Sequence, residues 1–306
     1  MVDVSVIGAG ISGPAAALSL VKAGHNVKMY ESRYPQDLHS YGVIGIVPGN
    51  VSALKNMGAD LTRVELDNSY TEWTPTHVTT QKWGGSYVMW TDIHNVILDA
   101  AIDNGAEPQF GKEHIPDKGG VVIQATGVGY AAWRGLIPHY AYTVYRGLSR
   151  FDTAFAWLSY SDPQKRFSFK LAHSPIGASW EMYVHRDNPV MRSIQSMDLP
   201  QEKEYLPDEF QTVINGTREM AIAPISDWDL SHITDDYQHF TIGDANGAMR
   251  PHTGMGANLG IREGMAIPRM LALPGKGRVM ETEMLYKDRL FQHDRGIQMG
   301  TALLGN

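Results

Sequence analysis

A glycine-rich turn close to the amino terminus constrains the fold more than any other feature of the sequence. Residues 2–7 form a run of β-forming residues, Gly8-Ala9-Gly10-Ile11-Ser12-Gly13 follows at once, and residues 15–23 favour a helix. In such a turn the first glycine permits the tight bend, the second lets a pyrophosphate approach the backbone, and the third lets the helix pack on the strand. The sequence therefore predicts a nucleotide-binding turn formed by Gly8, Gly10, Ile11, Ser12 and Gly13.

An acidic residue stands where the second strand of this unit is predicted to end. Residues 26–30 form that strand, and Glu31 follows it, eighteen positions after Gly13. A carboxylate here can accept both hydroxyls of a ribose and repels a 2′-phosphate, so the pattern predicts the adenosine of FAD or NAD rather than NADP. Ser32 and Arg33 extend the predicted site. Two interpretations of Arg33 stay open, a contact with the adenine or a phosphate and an ordinary solvated loop arginine.

A second glycine-rich turn lies over two hundred residues further along the chain. Residues 237–242 are predicted to form a strand that runs into Gly243-Asp244, and a helix is predicted to start at Leu259. The loop between them reads Arg250-Pro251-His252-Thr253-Gly254-Met255-Gly256-Ala257-Asn258. A strand that turns through glycines into a helix points backbone N–H groups and the helix dipole at one place. The pattern therefore predicts a second site for an anion or a dipole.

The two turns, in this order, resemble the FAD-dependent aromatic hydroxylases with the para-hydroxybenzoate hydroxylase fold, the class A flavoprotein monooxygenases. The pattern of that family is Gly-Asp-Ala-Ala-His, then Pro-x-x-Gly-x-Gly-x-Asn, then an acidic residue on the following helix. The residues that match it are Gly243, Asp244, Pro251, Gly254, Gly256, Asn258 and Glu263. The Arg-Pro-His-Thr stretch further resembles the branch that hydroxylates dihydroxypyridines.

The resemblance implies how FAD is held. Asp244 would contact the ribitol chain, and the backbone that follows Pro251 would face the pyrimidine edge of the flavin, through Gly254, Met255, Gly256, Ala257 and Asn258. A helix N-terminus at that edge stabilises the negative charge of reduced flavin. The resemblance thus implies FAD as the cofactor and NAD(P)H as a transient reductant.

The fold class that follows is mixed α/β (α+β), with a Rossmann-type FAD-binding domain and an inserted antiparallel substrate sheet. The FAD-binding domain is predicted to comprise residues 1–65, 91–135 and 235–306, and the substrate domain residues 66–90 and 136–234. Strands of the substrate sheet are predicted at 142–148, 154–160, 167–173 and 179–185. Other predicted elements are a flavin-adjacent loop at 42–46, strands at 83–90 and 121–125, and helices at 51–58, 92–101, 207–217 and 281–290.

Two positions depart from the family pattern. Thr126 stands where the family has an aspartate that is tied to pyrophosphate handling and to reduction by NAD(P)H, and Trp90 replaces an arginine ahead of a helix. A flavin reduced by a partner reductase is therefore an alternative to direct reduction by NAD(P)H. Covalent attachment of flavin through His39 or another histidine also stays open.

The resemblance implies that reduced FAD and O₂ form a C4a-hydroperoxide, which an electron-rich ring attacks. A histidine can help that ring to lose a proton, and His252, in the loop expected to face the flavin, is the predicted catalytic base. Alternation along residues 179–185 places Tyr183 and His185 on one face of the sheet, as predicted substrate contacts. Two interpretations of Arg146 stay open, an anchor for an acidic substrate and an ordinary surface arginine. His252, Tyr183 and His185 can also be structural residues that do not contact the substrate.

Composition excludes several other classes. The 306-residue chain has a formal net charge of −7 and no basic stripe, which argues against nucleic acid as a partner. It has no cysteine, so disulfides, thiolate metal sites and a cysteinyl cofactor bond are excluded, and no metal site is predicted. The first residues do not form a signal peptide and no long apolar run occurs, which predicts a cytoplasmic chain without membrane contact, as a monomer or homodimer.

The sequence thus predicts an oxidoreductase, an FAD-dependent monooxygenase that hydroxylates a small aromatic or N-heteroaromatic substrate with O₂ and NAD(P)H. Three alternatives remain. The first is another FAD-dependent oxidation, such as epoxidation, Baeyer-Villiger insertion or dehydrogenation. The second is an enzyme whose flavin is reduced by a partner reductase, and the third is a non-enzymatic flavin-binding protein.

Overall fold

The chain was analysed as a computed structural model. It describes residues 1–38, 40, 42–64, 66–74, 76–113, 120–127, 139–186, 190, 193–227, 234–236 and 238–304. The described strands are β1 (Asp3–Ile7), β2 (Asn26–Glu31), β3 (Val43–Ile46), β4 (Asp67–Thr74), β5 (His77–Met89), β6 (Glu107–Phe110), β7 (Val121–Gln124), β8 (His139–Ser149), β9 (Leu158–Ser161), β10 (Phe167–Ser174), β11 (Gly177–Val184), β12 (Ile194–Gln195), β13 (Thr217–Asp227), β14 (Thr234–Asp236) and β15 (His239–Thr241). The described helices are α1 (Ser12–Lys22), α2 (Pro48–Asn56), α3 (Trp90–Asp103), α4 (Asp208–Asn215), α5 (Gly256–Ala272) and α6 (Gly275–Leu304).

A six-stranded sheet with the order β14-β15-β7-β1-β2-β6 carries the first glycine turn. β1 pairs in parallel with β2 and β7, and β15 pairs in parallel with β7, so the second glycine turn follows a strand of the same sheet. Val4 and Val6 of β1 are buried in one core with the alanines and leucines of α1. Because the carboxyl ends of parallel strands meet at one edge, both turns lie at the same edge of this sheet.

Helix α1 packs directly against α5. The Ser19 hydroxyl donates a hydrogen bond to the Gly264 carbonyl at 2.9 Å. A Cβ on Gly264 would lie 2.7 Å from the Ala16 amide nitrogen, so only glycine allows this approach of the two backbones.

A nine-stranded sheet with the order β12-β13-β8-β11-β10-β9-β4-β5-β3 forms the second layer. Its pairs are antiparallel except for the parallel pair β4 and β9. One face of β10 and β11 packs against α4, where the Phe169 ring lies 5.7 Å from the Phe210 ring. The other face carries Lys170, Glu181 and Tyr183, and the functional site is built on that face.

Most of the predicted helices and strands are present in the structure, but several begin or end at other residues than predicted. The predicted flavin-adjacent loop at 42–46 is wrong, because residues 43–46 pair with β5 as the edge strand β3. The predicted strand at 154–160 begins only at Leu158, and the helix predicted at 281–290 extends over Gly275–Leu304. Strands β4 and β13 were not predicted. The division into domains stays a prediction; β3, on the FAD side of its boundary at residue 65, pairs within the large sheet.

Within the part of the chain that the structure describes, no helix has both the length and the apolar character needed to cross a bilayer.

Candidate functional site

The first glycine turn needs glycine at two positions and leaves space at the third. Gly8 has φ +102°, and a Cβ there would lie 2.5 Å from the Ala125 carbonyl oxygen. A Cβ on Gly13 would overlap the carbonyl oxygen of Gly8, so this glycine lets α1 pack on the turn. A Cβ on Gly10 would meet nothing within 4 Å. This open side is where a diphosphate can approach the backbone, as the sequence predicted.

Ser12, at the start of α1, brings the two glycine turns together. Its hydroxyl occupies the space that a Cβ on Gly243 or on Gly260 would fill. These glycines are separated from Ser12 by more than two hundred residues. The predicted cofactor residues of both turns therefore line one region of the molecule.

The Glu31 carboxylate is fixed by backbone and side-chain donors. It accepts hydrogen bonds from the Ala9 amide at 2.9 Å and from the Arg33 amide and Nε, each at 3.0 Å. Burial raises the pKa of Glu31, but these hydrogen bonds outweigh burial and hold the pKa below its ordinary value. One lone pair stays available for a ribose hydroxyl, because Oε2 accepts only from Ala9, whereas Oε1 accepts from Arg33 and Ser32. Arg33, half exposed, lies on Glu31, and the Ser32 hydroxyl also donates to it.

His94 supports the first turn in a way that sequence reasoning missed. Its Nε2 lies 2.7 Å from the Ala9 carbonyl oxygen, and its ring stacks on Trp90 with centroids 4.8 Å apart. Burial lowers the pKa of His94, so the neutral ring donates its Nε2 proton to Ala9. Trp90, where the family has an arginine, thus packs on the residue that holds the turn.

Thr126, the other departure, lies beside the first turn. A Cβ on Gly8 would lie 2.8 Å from the Thr126 amide nitrogen, and the Thr126 hydroxyl accepts a hydrogen bond from Gln124 at 2.8 Å. This residue therefore borders the cofactor turn without adding a negative charge. His39, the histidine considered for covalent attachment of flavin, lies outside the described residues.

At the second turn, Asp244 is exposed to solvent within a short 3₁₀ turn, Gly243–Ala245. Surrounding protein raises the pKa of its carboxyl by desolvation, and the Arg289 guanidinium acts in the opposite direction. A carboxylate that is accessible yet deep among protein atoms is typical of a cleft wall. This position is compatible with the predicted contact to a ribitol chain.

A buried ion pair holds the backbone on both sides of Asp244. Arg289 of α6 binds Glu263 of α5 through Nε at 2.6 Å and through a second nitrogen at 2.9 Å. Glu263 also accepts from the Gly243 amide at 2.7 Å, and Arg289 donates to the Gly247 carbonyl at 2.6 Å. Both side chains are at most 1% exposed. The acidic residue of the family pattern thus has a positioning role here.

Asn258 ties the loop of the second turn to β3. Its side-chain oxygen accepts from the Val47 amide at 2.9 Å, and its side-chain nitrogen donates to the Gly45 carbonyl at 2.7 Å and to the Gly254 carbonyl at 3.0 Å. Gly254 has φ +66°, a conformation that favours glycine. Pro251 opens the 3₁₀ turn Pro251–Thr253, and α5 starts at Gly256, so Met255, Gly256, Ala257 and Asn258 form the join of loop and helix.

The large sheet presents a cluster of ionisable side chains across three adjacent strands. Lys170 of β10 pairs in register with Glu181 of β11, which pairs with Arg146 of β8. Arg146 Nε binds Glu181 at 2.8 Å, and the Tyr183 hydroxyl donates to the same carboxylate. Burial and the Glu181 charge raise the pKa of Tyr183 far above its ordinary range, so Tyr183 stays a phenol.

His252 lies against this cluster. Its ring centroid is 5.7 Å from that of Tyr183 and 5.5 Å from that of Tyr142, and neither ring nitrogen has a hydrogen-bond partner among the described residues. The structure thus brings two predicted residues, His252 and Tyr183, together. His185 is exposed beyond the end of β11 and is not part of this cluster.

The near-neutral pKa expected of a base is not found at His252. Burial, Lys170 and Arg250 lower the pKa of the imidazole from 6.5 to about 3. His252 is therefore neutral at neutral pH, with one nitrogen that accepts and one that donates a hydrogen bond.

Arg250 is paired elsewhere. It binds Asp227 at 2.6 Å and donates to the Tyr142 hydroxyl at 3.0 Å. The second turn is thereby connected to β13 and β8 of the large sheet.

We expect the free energy of unfolding of His252→Asn to decrease less with falling pH than that of the wild type. Below pH 6.5 the unfolded chain binds a proton at His252 and the folded chain does not, so stability falls as the pH drops from 6.5 toward 3. This one imidazole changes the free energy of unfolding by at most about 1.4 kcal/mol per pH unit. The measurement is urea unfolding between pH 7 and about pH 4. His77→Asn, at the exposed start of β5, is the control, and equal slopes for all three proteins would refute the assignment.

No family model matches the sequence. The 6-hydroxynicotinate 3-monooxygenase of Pseudomonas fluorescens is 24% identical over an alignment of 326 positions, gaps included, which covers 88% of this chain and 82% of that protein. Among solved structures, CtdE in complex with FAD and substrate 4 has a TM-score of 0.81 and 18% identity, over 100% of this chain and 90% of that one.

A third similar protein is the 2,6-dihydroxypyridine-3-hydroxylase of Arthrobacter nicotinovorans, with a TM-score of 0.74 and 17% identity over 99% of this chain and 90% of that one. These matches confirm the mixed α/β fold and the resemblance to the FAD-dependent aromatic hydroxylases along the whole chain.

Proposed function

We propose that this protein, which has the fold of the FAD-dependent aromatic hydroxylases, is an FAD-dependent monooxygenase that hydroxylates a small aromatic or N-heteroaromatic ring with O₂ and NAD(P)H. The observation that carries the proposal is the packing of Ser12 on Gly243 and Gly260, because it brings both glycine turns to one cleft. Two of the similar proteins are named for hydroxylated pyridines, which supports a substrate of that class.

The residues present fit FAD. The open side of Gly10 leaves room for the diphosphate, Glu31 Oε2 offers one lone pair to the ribose, and Asp244 is accessible for the ribitol chain. When bound, the flavin supplies the redox chemistry, in which one atom of O₂ enters the ring, the other becomes water, and NAD(P)H is oxidised. The division into an FAD-binding domain and a substrate domain is part of this proposal.

The chain's own residues orient the ring and exclude water. Both imidazole nitrogens of His252 are buried beside Tyr183 and lack a hydrogen-bond partner among the described residues, so a ring hydroxyl that gains access to one of them can donate to it. A pKa of about 3 makes His252 a weak base in this arrangement. Because Lys170 and Arg250 contribute to that low pKa, an anion bound beside them raises the basicity of His252. Burial, the largest cause of the low pKa, remains when the ring is bound, so His252 acts in this proposal as a hydrogen-bond acceptor that orients the ring hydroxyl.

A second candidate is an FAD monooxygenase that receives electrons from a partner reductase. Thr126 favours it, because a neutral hydroxyl, bonded to Gln124, stands beside the cofactor turn where the family has an aspartate tied to reduction by NAD(P)H. The two candidates share the oxygen-dependent step and differ only in the source of electrons.

We expect purified protein incubated with FAD to show a flavin absorbance band that NADH or NADPH bleaches without oxygen, faster when the correct ring is present. The rings tested are 6-hydroxynicotinate and 2,6-dihydroxypyridine, and admitted oxygen should add one oxygen atom to the product mass. Product formed only after reduction with dithionite identifies the partner-reduced enzyme. A product that lacks hydrogen atoms indicates dehydrogenation, and a protein that binds no FAD refutes both candidates.

A further inference from the structure

We propose that Lys170 binds an anionic oxygen of the substrate and makes the enzyme selective for aromatic acids or ring oxyanions. This inference rests on the proposed function and goes beyond it by naming the residue that selects the charge of the substrate. Neither the glycine turns nor the family pattern includes Lys170.

Lys170 lies on the site face of the large sheet. Its neighbours along β10, Phe169 and Leu171, are buried in the core with α4, so alternation directs Lys170 to the opposite face. Glu181 and Arg146 lie in register with it on the next two strands. Lys170 also helps to lower the pKa of His252, which places its charge close to the predicted catalytic residue.

The other cations of this region already have anionic partners. Arg146 binds Glu181 at 2.8 Å, and Arg250 binds Asp227 at 2.6 Å. Lys170 forms no ion pair within 4.0 Å with any residue that the structure describes. The site face therefore carries one positive charge in excess, and this charge is on Lys170.

Two aromatic rings lie close to the Lys170 ammonium. Its nitrogen lies 4.7 Å from the centroid of Tyr183 and 5.5 Å from that of Trp157. With Trp157 and Glu181 it lines a narrow recess. Desolvation, the largest cause, and the Arg146 charge lower the pKa of Lys170, whereas the Glu181 charge raises it. A desolvated ammonium that shares the Glu181 charge with Arg146 and forms no ion pair within 4.0 Å gains from an anion that enters the site.

Aromatic side chains continue the same surface toward β5. Tyr87 stacks on Trp157 with centroids 4.9 Å apart, and Trp83 lies 5.0 Å from Tyr87. A flat ring can pack on such side chains while its anionic oxygen reaches Lys170. The chemistry that this arrangement recognises is an aromatic ring with one anionic oxygen, from a carboxylate or from a deprotonated ring hydroxyl.

The test is isothermal titration calorimetry on the FAD-loaded protein with 6-hydroxynicotinate, 6-hydroxynicotinamide and nicotinate. If Lys170 binds the carboxylate, the wild-type protein should bind 6-hydroxynicotinate about tenfold to a hundredfold more tightly than the amide, as expected for a hydrogen bond to a charged group. Lys170→Met and Lys170→Gln should abolish that preference. Lys82→Met, an exposed lysine of the same sheet, is the matched control and should keep it.

If Lys170 binds a ring oxyanion instead, both variants should weaken the two hydroxylated probes equally and leave nicotinate unchanged. The inference is overturned if Lys170→Met and Lys170→Gln bind all three probes as the wild type does. It is also overturned if the FAD-loaded wild type binds no probe at about 10 mM. The flavin absorbance of each sample distinguishes failure of the proposed function from failure of this inference. A protein without FAD contradicts the proposed function. An FAD-loaded protein in which the Lys170 variants have no effect contradicts only this inference.

Discussion

Arg289→Met is expected to lower the free energy of unfolding by about 3–5 kcal/mol and to abolish stable FAD binding. The guanidinium is fully buried, binds Glu263 through two nitrogens and also donates to the Gly247 carbonyl. Methionine leaves the Glu263 carboxylate buried without its countercharge. The backbone next to Asp244 then loses the contact that fixes it. Urea unfolding and retention of FAD on a desalting column measure the two effects.

Arg262→Met is the matched control for this prediction. Arg262 and its partner Asp288 also join α5 to α6, but both are partly exposed, 41% and 27%. A partly exposed pair contributes about 0–1 kcal/mol, so this variant should retain FAD. Combining Glu263→Gln with Arg289→Met should recover part of the lost stability, since the buried charge is then removed. Equal effects of Arg289→Met and Arg262→Met would contradict the positioning role of the buried pair.

Gly13→Ala is expected to lower the free energy of unfolding, and Gly10→Ala to weaken FAD binding, although the two glycines belong to one motif. An alanine Cβ at residue 13 would overlap the Gly8 carbonyl oxygen, so α1 must shift, at a cost of about 1–3 kcal/mol or more. A Cβ at residue 10 meets nothing within 4 Å, so stability without cofactor should change by no more than about 0.5 kcal/mol.

The affinity for FAD separates the two variants further. The new methyl group of Gly10→Ala occupies the space through which a diphosphate approaches the backbone, so the dissociation constant for FAD should rise about tenfold or more. Fluorescence titration of FAD and thermal unfolding of the FAD-free proteins give both quantities. If Gly10→Ala binds FAD as tightly as the wild type, the diphosphate does not cross this turn, and the predicted nucleotide site is wrong.

The spacing of residues in the sequence predicted the parts of the site that depend on neighbouring residues. Gly8 and Gly13 were recognised because a strand, a turn and a helix follow one another within about twenty residues, and the structure shows the close contacts that require glycine. Tyr183 was placed on the site face by strand alternation alone. The resemblance to the family predicted a flavin-adjacent loop at residues 42–46, and this was wrong, because a four-residue edge strand is defined by its partner β5 and not by its own composition.

Residues that act through distant partners could not be predicted. Asn258 bonds to Val47, Arg289 to Glu263, and His94 to Ala9, and none of these pairs has a recognisable local spacing. Arg146 was considered as a substrate anchor, but the structure pairs it with Glu181. Lys170 is one of many lysines in the sequence, and only the register of three strands places it beside Glu181 and Arg146.

The sequence by itself determined the two glycine turns, the mixed α/β architecture and the alternation that puts Tyr183 and Trp180 on opposite faces of their strand, because backbone sterics and side-chain periodicity are local properties. Only the tertiary structure decided that Ser12 joins the two turns, that the pKa of His252 falls to about 3, and that Lys170 remains unpaired. Burial and charge pairing depend on which distant residues become neighbours, and strand register and helix packing settle that only once the whole chain has folded.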